Sequence, residues 1–228
     1  MSKPNIIVAL DHATADEAVK VAERLDPQSC RLKVANTLFV NAGSSVVERL
    51  HGLGFELFLD LKFHDIPVQA AGACRAAADL GVWMLNVHAS GGLDMMRASR
   101  EALEPFTPRP YLIGVTVLTS LDAHDLSKIG FQASPSSQVT RLAKLTQEAG
   151  LDGIVCSAQE LRLVRDLGPS FLKVTPGIRA TSSAGNDDQK RVASAEQALA
   201  DGASHLVIGR PITESADPAE ALMRFVTG

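Results

Sequence analysis

The chain has 228 residues, 46% hydrophobic and 21% charged but only 4% aromatic, an aliphatic composition that excludes a disordered polypeptide. At this length it forms either one α/β barrel or two small domains. A formal net charge of −4 provides no general basic field for nucleic acid, so any anion must be held by a local site.

The first apolar run, Ile6-Ile7-Val8-Ala9-Leu10, is closed at once by Asp11. It is too short to span a membrane and lacks the form of a signal peptide, so a cytoplasmic protein is expected. Short β-rich runs then alternate with helical stretches to the end of the chain. Strands are expected at 5–10, 31–35, 55–61, 82–87, 110–117, 153–156, 171–175 and 205–208. Helices are expected around 14–25, 41–53, 67–80, 91–103, 136–149, 159–167, 194–201 and 217–226. Thr14 and Ser194 suit N-caps, Pro67 and Pro218 a first turn, and Gly54, Gly81, Gly150 and Gly202 helix ends. Eight βα units with no linker predict a single (β/α)8 TIM-barrel domain over residues 1–228. The alternative, a doubly wound open sheet, needs no eighth strand. Cys30, Cys74 and Cys156 form no CxxC pair, which argues against a disulfide framework or a structural zinc and for a reducing compartment.

Two connections are long: 118–135 after the fifth strand, and 176–193 after the seventh. The second is polar and rich in small residues, as an active-site lid would be.

Catalytic residues of such barrels collect at the carboxyl ends of the strands. Reading only those ends gives Asp11, Lys33, Asp60 and Lys62, His88, Thr119, Ser157, Pro176-Gly177 and Gly209-Arg210. The densest run is Asp60-Leu61-Lys62-Phe63-His64-Asp65-Ile66-Pro67. Asp60 and Lys62, two apart on a strand, face the same way. Lys33, on the neighbouring strand, can reach Asp60, and Asp65 lies just past the strand end. An alternating Lys–Asp–Lys–Asp array follows, in which each partner favours the other's charged form. The bland alternative is a structural ion network at a strand end. A second concentration, Gly177, Arg179 and Gln189 after strand seven with Gly209 and Arg210 after strand eight, lies where these barrels bind phosphate. The bland reading there is tight-turn glycines and a surface arginine.

The other candidates are weaker. His64 and His88 lack metal-ligand spacing and read as supporting residues. Lys173 reads as facing the outside of the barrel and exposed, Met95, Met96 and Trp83 as packing residues, and Cys156 as a buried thiol.

The run from Asp60 to Pro67 resembles the signature of the orotidine 5′-phosphate decarboxylase family. The resemblance continues through Val8-Ala9-Leu10-Asp11, Leu32-Lys33-Val34, Asn86-Val87-His88-Ala89-Ser90-Gly91-Gly92, Val115-Thr116-Val117-Leu118-Thr119-Ser120, Val174-Thr175-Pro176-Gly177-Ile178-Arg179 and Ile208-Gly209-Arg210-Pro211, and covers essentially the whole chain. It implies cofactor-free, metal-free decarboxylation of orotidine 5′-phosphate to UMP. Lys62 would be the proton donor, Asp60 would lie against the substrate carboxylate, and Lys33 would hold the array. It further implies Asp11 and Lys33 on the ribose, Thr119 on the pyrimidine, and Gln189, Gly209 and Arg210 on the phosphate with Arg179 nearby. Asp65 would cross a homodimer interface into the neighbouring site. Three places depart from the pattern: Ala35 stands where the family has glycine, Asn36-Thr37 where Lys-Glu is frequent, and Gln69 where a threonine reaches the neighbouring ribose.

Two rivals follow from the same residues. Sister barrels that act on sugar phosphates with Mg2+ share Asp60, Lys62 and Asp65 but place a glutamate at position 33, where an ammonium would repel the metal. A non-catalytic nucleotide-binding barrel would bind UMP without turnover.

Overall fold

The computed structural model describes residues 5–179 and 193–226. Eight parallel strands close a barrel: β1 (Ile6–Leu10), β2 (Arg31–Ala35), β3 (Leu57–Phe63), β4 (Met84–His88), β5 (Tyr111–Val115), β6 (Gly153–Val155), β7 (Leu172–Thr175) and, last in the chain, β10 (His205–Ile208), which pairs with both β7 and β1. Between β7 and β10, the short strands β8 (Ile178–Arg179) and β9 (Ala193–Ser194) pair with each other beside the barrel. The helices are α1 (Ala15–Ala22), α2 (Asn36–Ala42), α3 (Ser45–Gly52), α4 (Pro67–Asp79), α5 (Leu93–Glu101), α6 (Ala123–Lys128), α7 (Pro135–Glu148), α8 (Ala195–Ala200), α9 (Arg210–Thr213) and α10 (Pro218–Val226).

Strand alternation sorts side chains into two cores. Ile7, Ala9, Phe58, Met84, Ile113, Val174 and Val207 fill the barrel interior. Val8, Leu10, Leu32, Val34, Leu59, Leu85, Val87, Ile154, Leu206 and Ile208 point out under the helices. The floor of the interior is a polar and aromatic plug. The Arg31 guanidinium lies 4.1 Å from the Trp83 ring centroid, and Tyr111 and His205 pack on the same indole. Trp83 is thus a packing residue, held by a cation–π contact as well as by burial.

The expected caps are in place: Thr14 forms a capping box with Glu17, and the Ser194 hydroxyl accepts from the Gln197 N–H. Three elements differ from expectation. The helix expected at 41–53 is α3, and an additional helix, α2, precedes it directly after β2, the two parted where Gly43 takes φ 64°. The connection 118–135 contains α6, which is started by an Asp122/Asp125 capping box. The stretch Ala158–Leu167 is a 3₁₀ helix, not an α-helix. Its apolar residues Ala158, Leu161, Val164 and Leu167 recur every third position, so three residues per turn put all four on one face against the core.

Candidate active site

A cavity of about 260 Å3 opens at the carboxyl end of the barrel. Ala9, Phe58, Val115, Val155, Val174 and Val207 form its apolar floor; Asp11, Lys33, Asp60, Lys62, Thr119, Arg179, Gly209 and Arg210 line it with polar groups. With Pro176 and Gly177, which also line it, ten of the strand-end and loop candidates of the sequence therefore meet in one place. Gln189 lies outside the described residues.

Asp60 is the hub. Its Oδ1 accepts from Lys62 Nζ at 2.7 Å and its Oδ2 faces Lys33 Nζ at 3.2 Å. Lys33 Nζ also lies 3.2 Å from Asp11 Oδ1. The alternating array within one chain is thus Asp11–Lys33–Asp60–Lys62. Asp65, expected in that series, stands apart from it. Asp65 is exposed, accepts the Ile66 N–H at 2.7 Å and does not line the cavity. The physical reason is position: it lies beyond the end of β3, where the chain turns outward into α4.

Burial by itself would push the Asp60 carboxyl up, but Lys33, Lys62 and the Asn86 amide hold it below the ordinary carboxylate range. Burial would likewise lower Lys33, yet Asp60 and Asp11 outweigh it and raise its pKa. Both groups stay charged although buried, so their fields act there at low screening.

β3 is irregular just where the array sits. Pairing with β4 jumps from Leu59–Leu85 to Phe63–Val87, so β3 carries extra residues. Within that bulge Lys62 has φ 52°, and it is the sole non-glycine residue with positive φ among those described. That conformation costs an L-residue about 1–2 kcal/mol. The Lys62 N–H donates to Asn86 Oδ1 at 2.8 Å, and Asn86 Nδ2 donates to Asp60 Oδ1 at 2.7 Å. Asn86 is completely buried. Sequence reading did not single it out, although a lone amide among Met84-Leu85-Asn86-Val87-His88 on an inward position calls for a buried polar partner.

Other strand-end candidates serve the surroundings. The Ser157 N–H and hydroxyl both donate to the Glu160 carboxylate, which caps the 3₁₀ helix, and Ser157 does not line the cavity. His88 stacks on His64 with ring centroids 5.2 Å apart; burial, then His64 and Lys62, lower its pKa. Lys173 does face the outer side of the barrel, but it is buried, and this corrects the expectation of exposure. Its ammonium donates to the carbonyls of Gly168 and Phe171, and burial lowers its pKa. Cys156 is a buried thiol at the cavity wall, and Met95 and Met96 are core. Ala35, in the place of the family's glycine, has φ −107°, which alanine adopts without strain.

Among the described residues no group of three or more His, Cys, Asp or Glu could hold a metal ion, and no helix is long and apolar enough to cross a membrane.

Comparison with known proteins converges on one family. Residues 4–225 match the Orotidine 5′-phosphate decarboxylase / HUMPS family. Curated orotidine 5′-phosphate decarboxylases from Chromobacterium violaceum and Nitrosococcus oceani are each 57% identical, covering 95% and 97% of this chain and 88% and 96% of their own lengths. The crystal structure of orotidine 5′-phosphate decarboxylase from Lactobacillus acidophilus superposes with a TM-score of 0.86 at 35% identity, covering 98% of this chain and 97% of that one.

Proposed function

The chain belongs to the orotidine 5′-phosphate decarboxylase / HUMPS family, and on that premise we propose that it converts orotidine 5′-phosphate to UMP and CO2 in pyrimidine nucleotide synthesis, with Lys62 as proton donor and no cofactor. The observation that carries this reading is the Asp11–Lys33–Asp60–Lys62 array above an apolar cavity floor.

The chemistry needs those groups. Breaking the bond from the pyrimidine C6 to its carboxylate leaves the electron pair on C6 in the ring plane, where the π system does not delocalise it. A fixed ammonium at Lys62 stabilises that charge as it develops and then transfers its proton to C6; water restores the proton to Lys62 after product leaves. Asp60 lies where the substrate carboxylate must sit, so departure of CO2 relieves the repulsion between two anions. Lys33 holds Asp60 ionised and, with Asp11, contacts the ribose hydroxyls. Thr119 contacts the pyrimidine. Arg210, the Gly209 backbone and Arg179 bind the phosphate, with Gln189 assigned the same task from sequence. Binding energy from the phosphate, remote from C6, is then available to close the site over the ring. Asp65 and the first turn of α4, where Gln69 is exposed, serve the neighbouring site of a homodimer. The exposed apolar side chains Ile66 and Val68 beside them support a covered surface there.

Loss of orotidine 5′-phosphate absorbance in excess EDTA tests the reading. Wild-type protein is expected to turn over, and Lys62→Ala to lose about 10^3-fold or more in kcat, as proton-transfer and electrostatic contributions combine. No turnover by folded wild-type protein refutes the assignment. Turnover that disappears with EDTA refutes the metal-free mechanism, and UMP binding without turnover points to a binding protein.

A further inference from the structure

We propose that Asn86 is a positioning residue for catalysis, which holds the Lys62 backbone in its left-handed conformation and the Asp60 carboxylate in register with it. This inference rests on the decarboxylase reading above and adds to it a residue that touches neither substrate nor the reacting carbon.

The geometry is that of a two-sided clamp. One amide spans the gap between β4 and the bulged end of β3, its oxygen taking the Lys62 N–H at 2.8 Å and its nitrogen giving a hydrogen to Asp60 Oδ1 at 2.7 Å. The orientation of the amide is set by its partners, since reversal would aim the oxygen at a carboxylate and the NH2 at an N–H. Extra residues in β3 take the Lys62 N–H out of the regular ladder, so a side chain must supply its acceptor. Asn86 does so from a fully buried position, flanked on the strand by Leu85 and Val87, which face the outer core.

Two consequences follow for the reaction. With φ at 52°, Lys62 directs its side chain back over Asp60, and the two are joined at 2.7 Å. In a regular strand Lys62 would take a negative φ and its Nζ would leave that place. The second concerns charge. Asp60 Oδ1 receives both Lys62 and Asn86, so a neutral donor shares the anion with the ammonium and leaves the Lys62 proton free to travel. An aspartate at position 86 has the same size but turns that donor into a second carboxylate, and two carboxylates at such a distance do not both ionise.

The test uses Asn86→Ala and Asn86→Asp in the full chain, with kcat, KM, UMP binding and a crystal structure for each. Asn86→Ala is expected to lower kcat about 10^2-fold, the cost of a reacting group displaced by about 1 Å, while UMP binding, carried by phosphate and ribose contacts, is retained. Its crystal structure is expected to show Lys62 at negative φ with Nζ moved away from Asp60. Asn86→Asp is expected to move the acid limb of kcat to higher pH, which a merely structural role would not do. Wild-type kcat in Asn86→Ala, or an unmoved acid limb in Asn86→Asp, overturns the proposal. So does loss of UMP binding or of folding in both variants, which would assign the side chain to stability. The crystal structure separates this inference from the reading beneath it: Lys62 still near φ 52° in Asn86→Ala overturns it even if the wild type decarboxylates, and an inactive wild type refutes the decarboxylase reading while leaving that structural test intact.

Discussion

Asp60 receives Lys62, Asn86 and Lys33 on its two oxygens, and removing its charge would leave two ammonium groups facing one another across a buried site. Asp60→Asn is therefore expected to lower kcat about 10^2–10^3-fold, the range for loss of one preorganised electrostatic partner, and to bring the basic limb of the pH profile down as Lys33 loses a counter-ion that raises its pKa. Steady-state kinetics from pH 5 to 10 check both; a basic limb at its wild-type place refutes the account of the array. The charged members of this site were legible in the sequence because each stands at a strand end in an otherwise apolar run. The geometry that makes them work was not. A positive φ at Lys62 leaves no mark in composition, since it arises from the mismatch of β3 with β4. Asn86 was visible only as an inward polar residue whose partners could not be named before the bulge was known.

At the scale of elements, alternation and caps located all eight barrel strands, but the ends and the helix types followed tertiary contacts. β3 begins later and ends later than its apolar run suggested, because the bulge extends it to Phe63. The stretch after β6 is 3₁₀ because its apolar spacing is three, a period that an α-helical reading overlooks. Close approach between strands sets a sharper limit at β6. A Cβ added to Gly153 would lie 2.3 Å from the Leu172 carbonyl oxygen, so backbone must move to admit it. Gly153→Ala is expected to destabilise the protein by about 1–3 kcal/mol, seen as a lower denaturation midpoint with unchanged m. A midpoint equal to wild type refutes the packing argument. The plug at the barrel floor predicts a pH dependence. Burial, then Arg31, lower His205 to about 4. Because its folded value is depressed below the ordinary 6.5, the folded state favours neutral His205. That contribution is complete above about pH 6.5 and is lost as the pH falls from there towards 4. Urea titrations at pH 7 and pH 4.5 are expected to show a smaller loss for His205→Asn than for wild type, although His51 and His88, also lowered by burial, contribute to both. An equal loss in both proteins refutes the role assigned to His205.

The whole molecule raises the question of what Asp65 does. Its own chain builds the array without it: Asp11, Lys33, Asp60 and Lys62 already alternate, and Asp65 points to solvent. Around it the surface is unusually apolar for an exposed helix start, with Ile66 61% and Val68 69% exposed, and Val40 on the preceding βα unit 80% exposed. A symmetric pairing of two barrels through this face would cover those side chains and carry each Asp65 towards the partner's cavity. Such an arrangement has a distinctive genetic consequence, because the two halves of one site then lie on different chains. Homodimers of Lys62→Ala and of Asp65→Ala are each expected to be nearly inactive. Mixed by co-expression, half of the dimers combine the two variants, and each of these has one site with both residues intact and one with neither. Activity should return to roughly a quarter of the wild-type value per chain, the fraction set by statistical pairing in a two-fold assembly. If Asp65 acts within its own chain, no mixed dimer contains an intact site and mixing restores nothing. The recovery therefore distinguishes a shared site from a self-contained one without any structure of the dimer.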